Sequence, residues 1–252
     1  MNDPISIKQS GSPQTSCRDC SLLDLCFAHS VAESRRDELD SIINRKRPLD
    51  KDQHLFHAGQ NLKTICVVRS GTVKTYQISP DGDEMVTGFH LPGEMIGLDA
   101  IGSERHPGFA VALEDSHYCE IPFRDFKNML DKSQQLNHLM LQLLSADMAE
   151  MRELLMVINR MEARARVAVF ILNLSRRLGR RGHDANRFRL AMDRRDIANY
   201  LGLTIETVSR TLSTMQKDEL ISVHGKRLSL ENPEALLEIA GPEHQDLLLD
   251  TG

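Results

Sequence analysis

The sequence predicts an α+β chain in three successive parts: a β-rich roll, one long helix, and a winged helix-turn-helix. Short apolar runs broken by glycine and proline turns fill residues 55–122. A stretch without either residue follows over residues 133–160, and a glycine-centred pattern runs from Arg194 to Arg210. These three observations set the fold class.

The roll rests on Thr64-Ile65-Cys66-Val67-Val68, Thr72-Val73-Lys74-Thr75-Tyr76, Val86-Thr87-Gly88-Phe89 and Phe109-Ala110-Val111-Ala112-Leu113. Turn signals separate them at Ser70-Gly71, Pro80-Asp81-Gly82, Pro92-Gly93 and His106-Pro107-Gly108. β-branched runs at this spacing predict an antiparallel roll or small barrel over residues 31–132.

In the next segment Leu136, Met140, Leu144, Met148, Met151, Leu155 and Ile158 recur three or four residues apart, which predicts one amphipathic helix over residues 133–160. At 1.5 Å per residue it spans roughly 40 Å, more than a small domain needs. A second copy of the chain would bury such a stripe, making it a dimerisation helix. Asp147, Glu150 and Glu153 lie beside it, where like charges from two subunits could oppose each other and keep dimerisation marginal.

The last part, residues 161–240, reads as a DNA-binding module. Small Ala198 lets two helices cross closely, Gly202 makes the turn, and Ile197, Leu201, Val208 and Leu212 supply a shared core. Thr204 caps the second helix, whose exposed side then presents Glu206, Ser209 and Arg210 to a major groove. Arg210 suits guanine, Glu206 suits the cytosine amino group, and Ser209 can contact a base or a thymine methyl. Leu220 to Val223 and Leu228 to Leu230 flank His224-Gly225-Lys226-Arg227, a hairpin wing whose Lys226 and Arg227 are placed for phosphates.

Charge supports this partition. The chain has 252 residues and a net charge of -5. Residues 161–230 nevertheless carry 14 Lys and Arg against 7 Asp and Glu, and residues 231–252 carry 6 acidic groups and no basic one, forming an acidic tail at residues 241–252. Positive charge thus gathers where double-stranded DNA would be neutralised. With 40% hydrophobic residues the chain can bury a real core, which excludes disorder throughout. Met1-Asn2-Asp3-Pro4 lacks a basic start, and no apolar run reaches membrane length, so a cytoplasmic protein without a membrane span is expected. No Walker loop, GxSxG or HExxH pattern is present, and an enzyme is not expected.

The amino-terminal segment, residues 1–30, carries Cys17, Cys20 and Cys26. Cys-x2-Cys places two sulfurs on one tight turn, and Cys26 can return to the same point. Three candidates exist for a fourth ligand: Cys119 and Cys66 on expected strands, and His29 close by. Four thiolates suit an iron–sulfur cluster or zinc, whereas three with His29 suit structural zinc. Spacing leaves that choice open. Cys66, inside Ile65-Cys66-Val67-Val68, is better suited to filling a core.

Together these pieces resemble the FNR group of the CRP/FNR transcription-factor superfamily. The resemblance runs from about Ser16 to Ala240. It is carried by the cysteine cluster with Ser21 and Leu25, Arg69-Ser70-Gly71, Thr87-Gly88-Phe89-His90-Leu91, Cys119-Glu120-Ile121-Pro122-Phe123, Asn173-Leu174-Ser175-Arg176-Arg177, Phe188-Arg189-Leu190 and the stretch from Asn199 to Arg210. It implies a cyclic-nucleotide-binding-like β-roll and one [4Fe–4S] cluster per subunit on Cys17, Cys20, Cys26 and Cys119. It also implies a homodimer that binds TTGAT-type inverted repeats without oxygen, and whose dimerisation and DNA binding are abolished when oxygen converts the cluster to a [2Fe–2S] form. Asp81, Gly82 and Asp83 match a loop that contacts RNA polymerase. Where the family often places an aspartate on the dimer helix this chain has Met151, which implies looser or differently tuned control of dimerisation. No cyclic nucleotide is expected, because Arg105 is followed by His106-Pro107 rather than an anion-binding Arg-Ser-Ala, and proline removes a backbone donor.

Overall fold

The structure, a computed structural model, describes residues 16–45 and 48–244. The expected start of the amino-terminal segment and the end of the acidic tail lie outside the described residues. Two compact units divide the chain: residues 1–74 with 89–142, and residues 75–88 with 143–252.

In the first unit, helix α1 (Glu33–Ile42) leads to β1 (Asn44–Arg45), β2 (His54–Phe56) and β3 (Thr64–Ser70). Then come β4 (Val73–Ile78), β5 (Glu84–His90), β6 (Met95–Ile96), β7 (Phe109–Ala112) and β8 (His117–Pro122), closed by α2 (Phe123–Asp131). The strands form two four-stranded sheets, ordered β1-β8-β3-β6 and β2-β7-β4-β5. Phe56, Cys66, Val68, Val73, Ile96 and Ala110 come from both sheets and pack into one buried cluster, so the core of the roll lies between them. The far part of the β4–β5 hairpin, Thr75–Gly88, belongs to the second unit.

Register decides which side chains face which way. Strands β3 and β8 pair antiparallel with Cys66 opposite Glu120 and Val67 opposite Cys119. Since side chains alternate along a strand, Cys66 and Cys119 lie on opposite faces of one sheet. Cys66 is 2% exposed and joins the core between the sheets. Cys119 takes the other face.

The long helix expected over residues 133–160 is α3 (Gln134–Arg160). Its amino-terminal stripe residues Leu136 and Met140 are buried in the first unit. Further along, Met148, Met151 and Leu155 are more than half exposed. In the second unit, α4 (Ala163–Gly179) precedes β9 (Arg187–Arg189), α5 (Arg194–Leu201), α6 (Ile205–Lys217), β10 (Ile221–His224), β11 (Arg227–Leu230) and α7 (Pro233–Ala240). The wing has three strands rather than the two expected, in the order β10-β11-β9. Strand β9 escapes a periodicity reading because Arg187-Phe188-Arg189 buries a single side chain. Among the described residues no helix is long and apolar enough to cross a membrane.

Candidate metal centre and nucleic-acid interface

Between Cys17 and Ser30 the chain forms two short 3-10 turns instead of a regular helix. The Cys20 carbonyl accepts from the Leu23 N–H at 3.0 Å, and the Cys26 carbonyl accepts from the His29 N–H at 2.9 Å. The loop is fastened to α1 and α2. The Arg18 guanidinium grips both carboxylate oxygens of Asp37 at 2.7 and 2.8 Å, a bidentate pair of fixed geometry. The Cys17 N–H donates to Asp40 at 2.7 Å. Phe27 meets Phe126 of α2 edge to face at 5.8 Å.

These fastenings bring Cys17, Cys20 and Cys26 over the outer face of the β8–β3 sheet, where Cys119 waits. All four line one pocket together with Leu22, Leu23, Phe27, Val67 and Gly93. The other two candidates for a fourth ligand do not line it. His29 is exposed and paired with Asp24 at 3.2 Å, and Cys66 faces the opposite side of the sheet. None of the five cysteines forms a disulfide.

The pocket is apolar, and its electrostatics follow. Burial pushes the thiols of Cys17 and Cys26 up to about 12 and raises that of Cys119, with Arg69 and Arg45 pulling the last back down. Desolvation thus favours the neutral form of these three thiols, and a bound metal cation would replace their protons and hold them as thiolates. Burial also works against the Asp40 carboxylate, but the Cys17 N–H and Arg45 outweigh it and hold its pKa below the usual value. The Arg45 guanidinium bonds Asp40 through Nη2, which also lies 3.7 Å from the Cys17 sulfur. Its Nε is buried with no partner among the described residues.

Four thiols with buried donors beside them form a donor set suited to a soft-metal cluster. Among the described residues no group of three or more His, Cys, Asp or Glu is arranged to hold a single metal ion. The sequence points to the four cysteines and, without tying them to this site, to Arg69 in a family-like run and Gly93 in a turn, but not to Asp40 or Arg45. The spacing of Asp40 and Arg45 carries no motif, and only the fold gathers all four beside the cysteines.

The second site lies in the other unit. Asp193 caps α5 through a reciprocal capping box with Asp196, and Gly202 ends it at φ +61°, a left-handed turn that glycine adopts at little cost. The Arg166 guanidinium donates to the Met161 carbonyl at 2.9 Å and to that of Leu201 at 3.1 Å, pinning the turn to the start of α4. Thr204 caps α6 by accepting from the Thr207 N–H at 3.1 Å. Ile197, Ala198, Leu201, Val208 and Leu212 are all buried, so the expected core of the pair is present. Glu206 and Arg210 are exposed and Ser209 partly so, on the side of α6 away from that core.

In the wing, β10 and β11 pair with His224 opposite Arg227, which leaves a two-residue turn at Gly225 and Lys226. Lys226 folds back and its Nζ donates to the Ala191 carbonyl at 2.9 Å, while Arg227 pairs in register with Arg189 of β9. Asp81, Gly82 and Asp83 form an exposed turn between β4 and β5, with the Ser79 N–H donating to the Asp83 carbonyl at 2.8 Å.

A roll, a long helix and a winged module with its recognition helix exposed define a DNA-binding transcription regulator. Residues 165–239 match the Crp-like helix-turn-helix domain, and residues 46–133 match the cyclic nucleotide-binding domain, here a likeness of fold. The fumarate and nitrate reduction regulatory protein of Escherichia coli K12 is 46% identical over 92% of this chain and 93% of its own length. Its counterpart in Salmonella typhimurium matches to the same extent. Among solved structures, FixK2 from Bradyrhizobium japonicum superposes with a TM-score of 0.71 at 27% identity, covering 77% of this chain and 95% of that one. The chain belongs to the fumarate and nitrate reduction regulator family, within the CRP/FNR superfamily. Its relatives are transcription regulators and not enzymes.

Proposed function

We propose that this protein is an oxygen-responsive regulator that binds DNA as a homodimer when each subunit carries one [4Fe–4S] cluster on Cys17, Cys20, Cys26 and Cys119. The observation that carries the reading is the single apolar pocket lined by these four thiols, with Cys66 turned to the opposite face. When bound, such a cluster supplies an oxygen-labile link between loop and sheet. Leu22, Leu23 and Phe27 keep water from the thiols, and the loop's ties to Asp37 and Asp40 hold the three amino-terminal sulfurs near Cys119.

Several features support the remaining parts. Exposed Met148, Met151 and Leu155, beside Leu144 and Ile158, leave the carboxy-terminal half of the stripe for a second subunit, with Asp147 and Glu150 at its border. Glu206, Ser209 and Arg210 can read a TTGAT-type half-site, while Lys226 and Arg227 approach phosphates. The Asp81-Gly82-Asp83 turn is the proposed RNA polymerase contact. Arg105 donates to the Gly59 carbonyl at 3.0 Å, which gives its guanidinium a structural task and supports a roll that takes no cyclic nucleotide. A cytoplasmic location and a role in the response to anaerobiosis or nitrate complete the proposal, the latter following from the names of the relatives.

The test compares Cys119→Ser with Cys66→Ser after anaerobic reconstitution. Iron, acid-labile sulfide and operator binding are expected to fall to background in the first and persist in the second. Equal behaviour of the two variants, or full operator binding by iron-free protein, would refute the assignment.

A further inference from the structure

Two charged side chains stand behind the cysteine pocket that no motif marks. Arg45 on β1 pairs directly opposite Cys119 on β8, so both side chains leave the same face of the sheet. Its Nη2 reaches 3.7 Å from the Cys17 sulfur and bonds Asp40, whose Oδ1 also accepts from the Cys17 N–H. One guanidinium therefore touches the first cysteine of the loop and neighbours Cys119, the cysteine that the sheet turns toward the pocket. Its Nε, buried and without a partner among the described residues, remains a donor.

We propose that Arg45, oriented by Asp40, is a positioning residue for the cluster: it joins Cys17 to the Cys119 strand and sustains negative charge on the ligating sulfur. This rests on the cluster reading above. The physical reason is that N–H donors and cations beside a ligating sulfur draw electron density from the metal and make the site harder to oxidise. Asp40 acts in the opposite sense, because its carboxylate offsets the guanidinium while fixing where it points. The two residues, although bonded, should thus shift the cluster's air sensitivity in opposite directions.

The experiment uses full-length protein reconstituted without oxygen. Iron per subunit is measured first, and then the rate at which the visible absorbance bleaches at a fixed dissolved-oxygen concentration. Arg45→Met is expected to bleach about tenfold faster than the parent, as loss of an outer-shell partner typically costs 10–100-fold. Arg45→Lys, which keeps the charge without the planar fork, should fall between. Asp40→Asn keeps an acceptor for the Cys17 N–H but removes the carboxylate charge, and should bleach more slowly than the parent. Faster bleaching in both Arg45→Met and Asp40→Asn would reveal a merely structural role and overturn the proposal, as would parental rates in both. If Arg45→Met fails to fold, the slower bleaching of Asp40→Asn still decides. Parent protein that takes up no iron overturns the cluster reading, and this proposal with it, whereas normal parental loading with unchanged variants overturns this proposal alone.

Discussion

Replacing Gly93 by alanine tests how the cysteine loop is seated on the roll. Gly93 occupies the turn between β5 and β6 with φ +94°, and its N–H donates to the Val68 carbonyl at 2.8 Å. A Cβ built there would lie 3.0 Å from both the Cβ and the carbonyl oxygen of Leu25, the residue before Cys26. Two costs combine. The positive φ strains any L side chain by about 1–3 kcal/mol, and the contact must be relieved by moving Leu25, because one of the obstructing atoms is backbone. Gly59→Ala separates the two costs, since Gly59 has φ +79° and nothing within 4 Å of an added Cβ. Strain alone should lower the melting temperature of Gly59→Ala by about 2–12 °C, at roughly 2–4 °C per kcal/mol for a protein of this size. Gly93→Ala should lose at least as much and, unlike the control, should also retain less iron after anaerobic reconstitution, because Cys26 moves with Leu25. Equal melting temperatures with full iron loading in both variants would refute the idea that the Gly93 turn seats the loop.

Three further outcomes are expected. Arg210→Ala should relax discrimination at one base pair by about 1–3 kcal/mol, measured by competition between operators differing at single positions. Lys226→Ala should instead weaken binding to all sequences alike and also lower thermal stability, by roughly 1 kcal/mol, since its bond to the Ala191 carbonyl is lost. A third concerns pH. His106 is buried, stacked on Phe56 at 3.6 Å, and its Nδ1 has no partner among the described residues; burial lowers its pKa, with Asp99 pulling the other way. A histidine kept neutral in the fold charges more readily when unfolded, so its contribution to stability is complete above the ordinary value near 6.5 and is lost as pH falls through it. Denaturant unfolding between pH 8 and 5.5 should therefore show a slope that His106→Phe reduces; an unchanged slope would exclude His106 as its source.

Much of this architecture could be read directly because it depends on local pattern. The helix-turn-helix is legible from Ala198, Gly202 and the apolar positions around them, since a turn of that shape tolerates few alternatives. The long helix follows from spacing, and its observed limits, Gln134–Arg160, lie within a residue of the expected 133–160. Strand β9 was missed because a short strand with one buried side chain offers no alternation. The free choice of a fourth ligand among Cys66, Cys119 and His29 could not be settled by spacing, because a single-residue difference in register sends a side chain to the other face of a sheet.

By itself, the sequence determined the order of the parts, the exposed face of the recognition helix and the presence of a thiol-rich loop, all properties of residues near one another in the chain. Spacing left the choice between Cys66 and Cys119 open and resemblance implied Cys119, whereas tertiary structure puts Cys119 and not Cys66 in the pocket with that loop; it alone decided that Asp40 and Arg45 stand behind Cys17 and that Gly93 bears on Leu25. These are pairings across strand register and between distant segments. They are set by which apolar faces the two sheets bury against each other, a collective outcome of packing that no local spacing encodes.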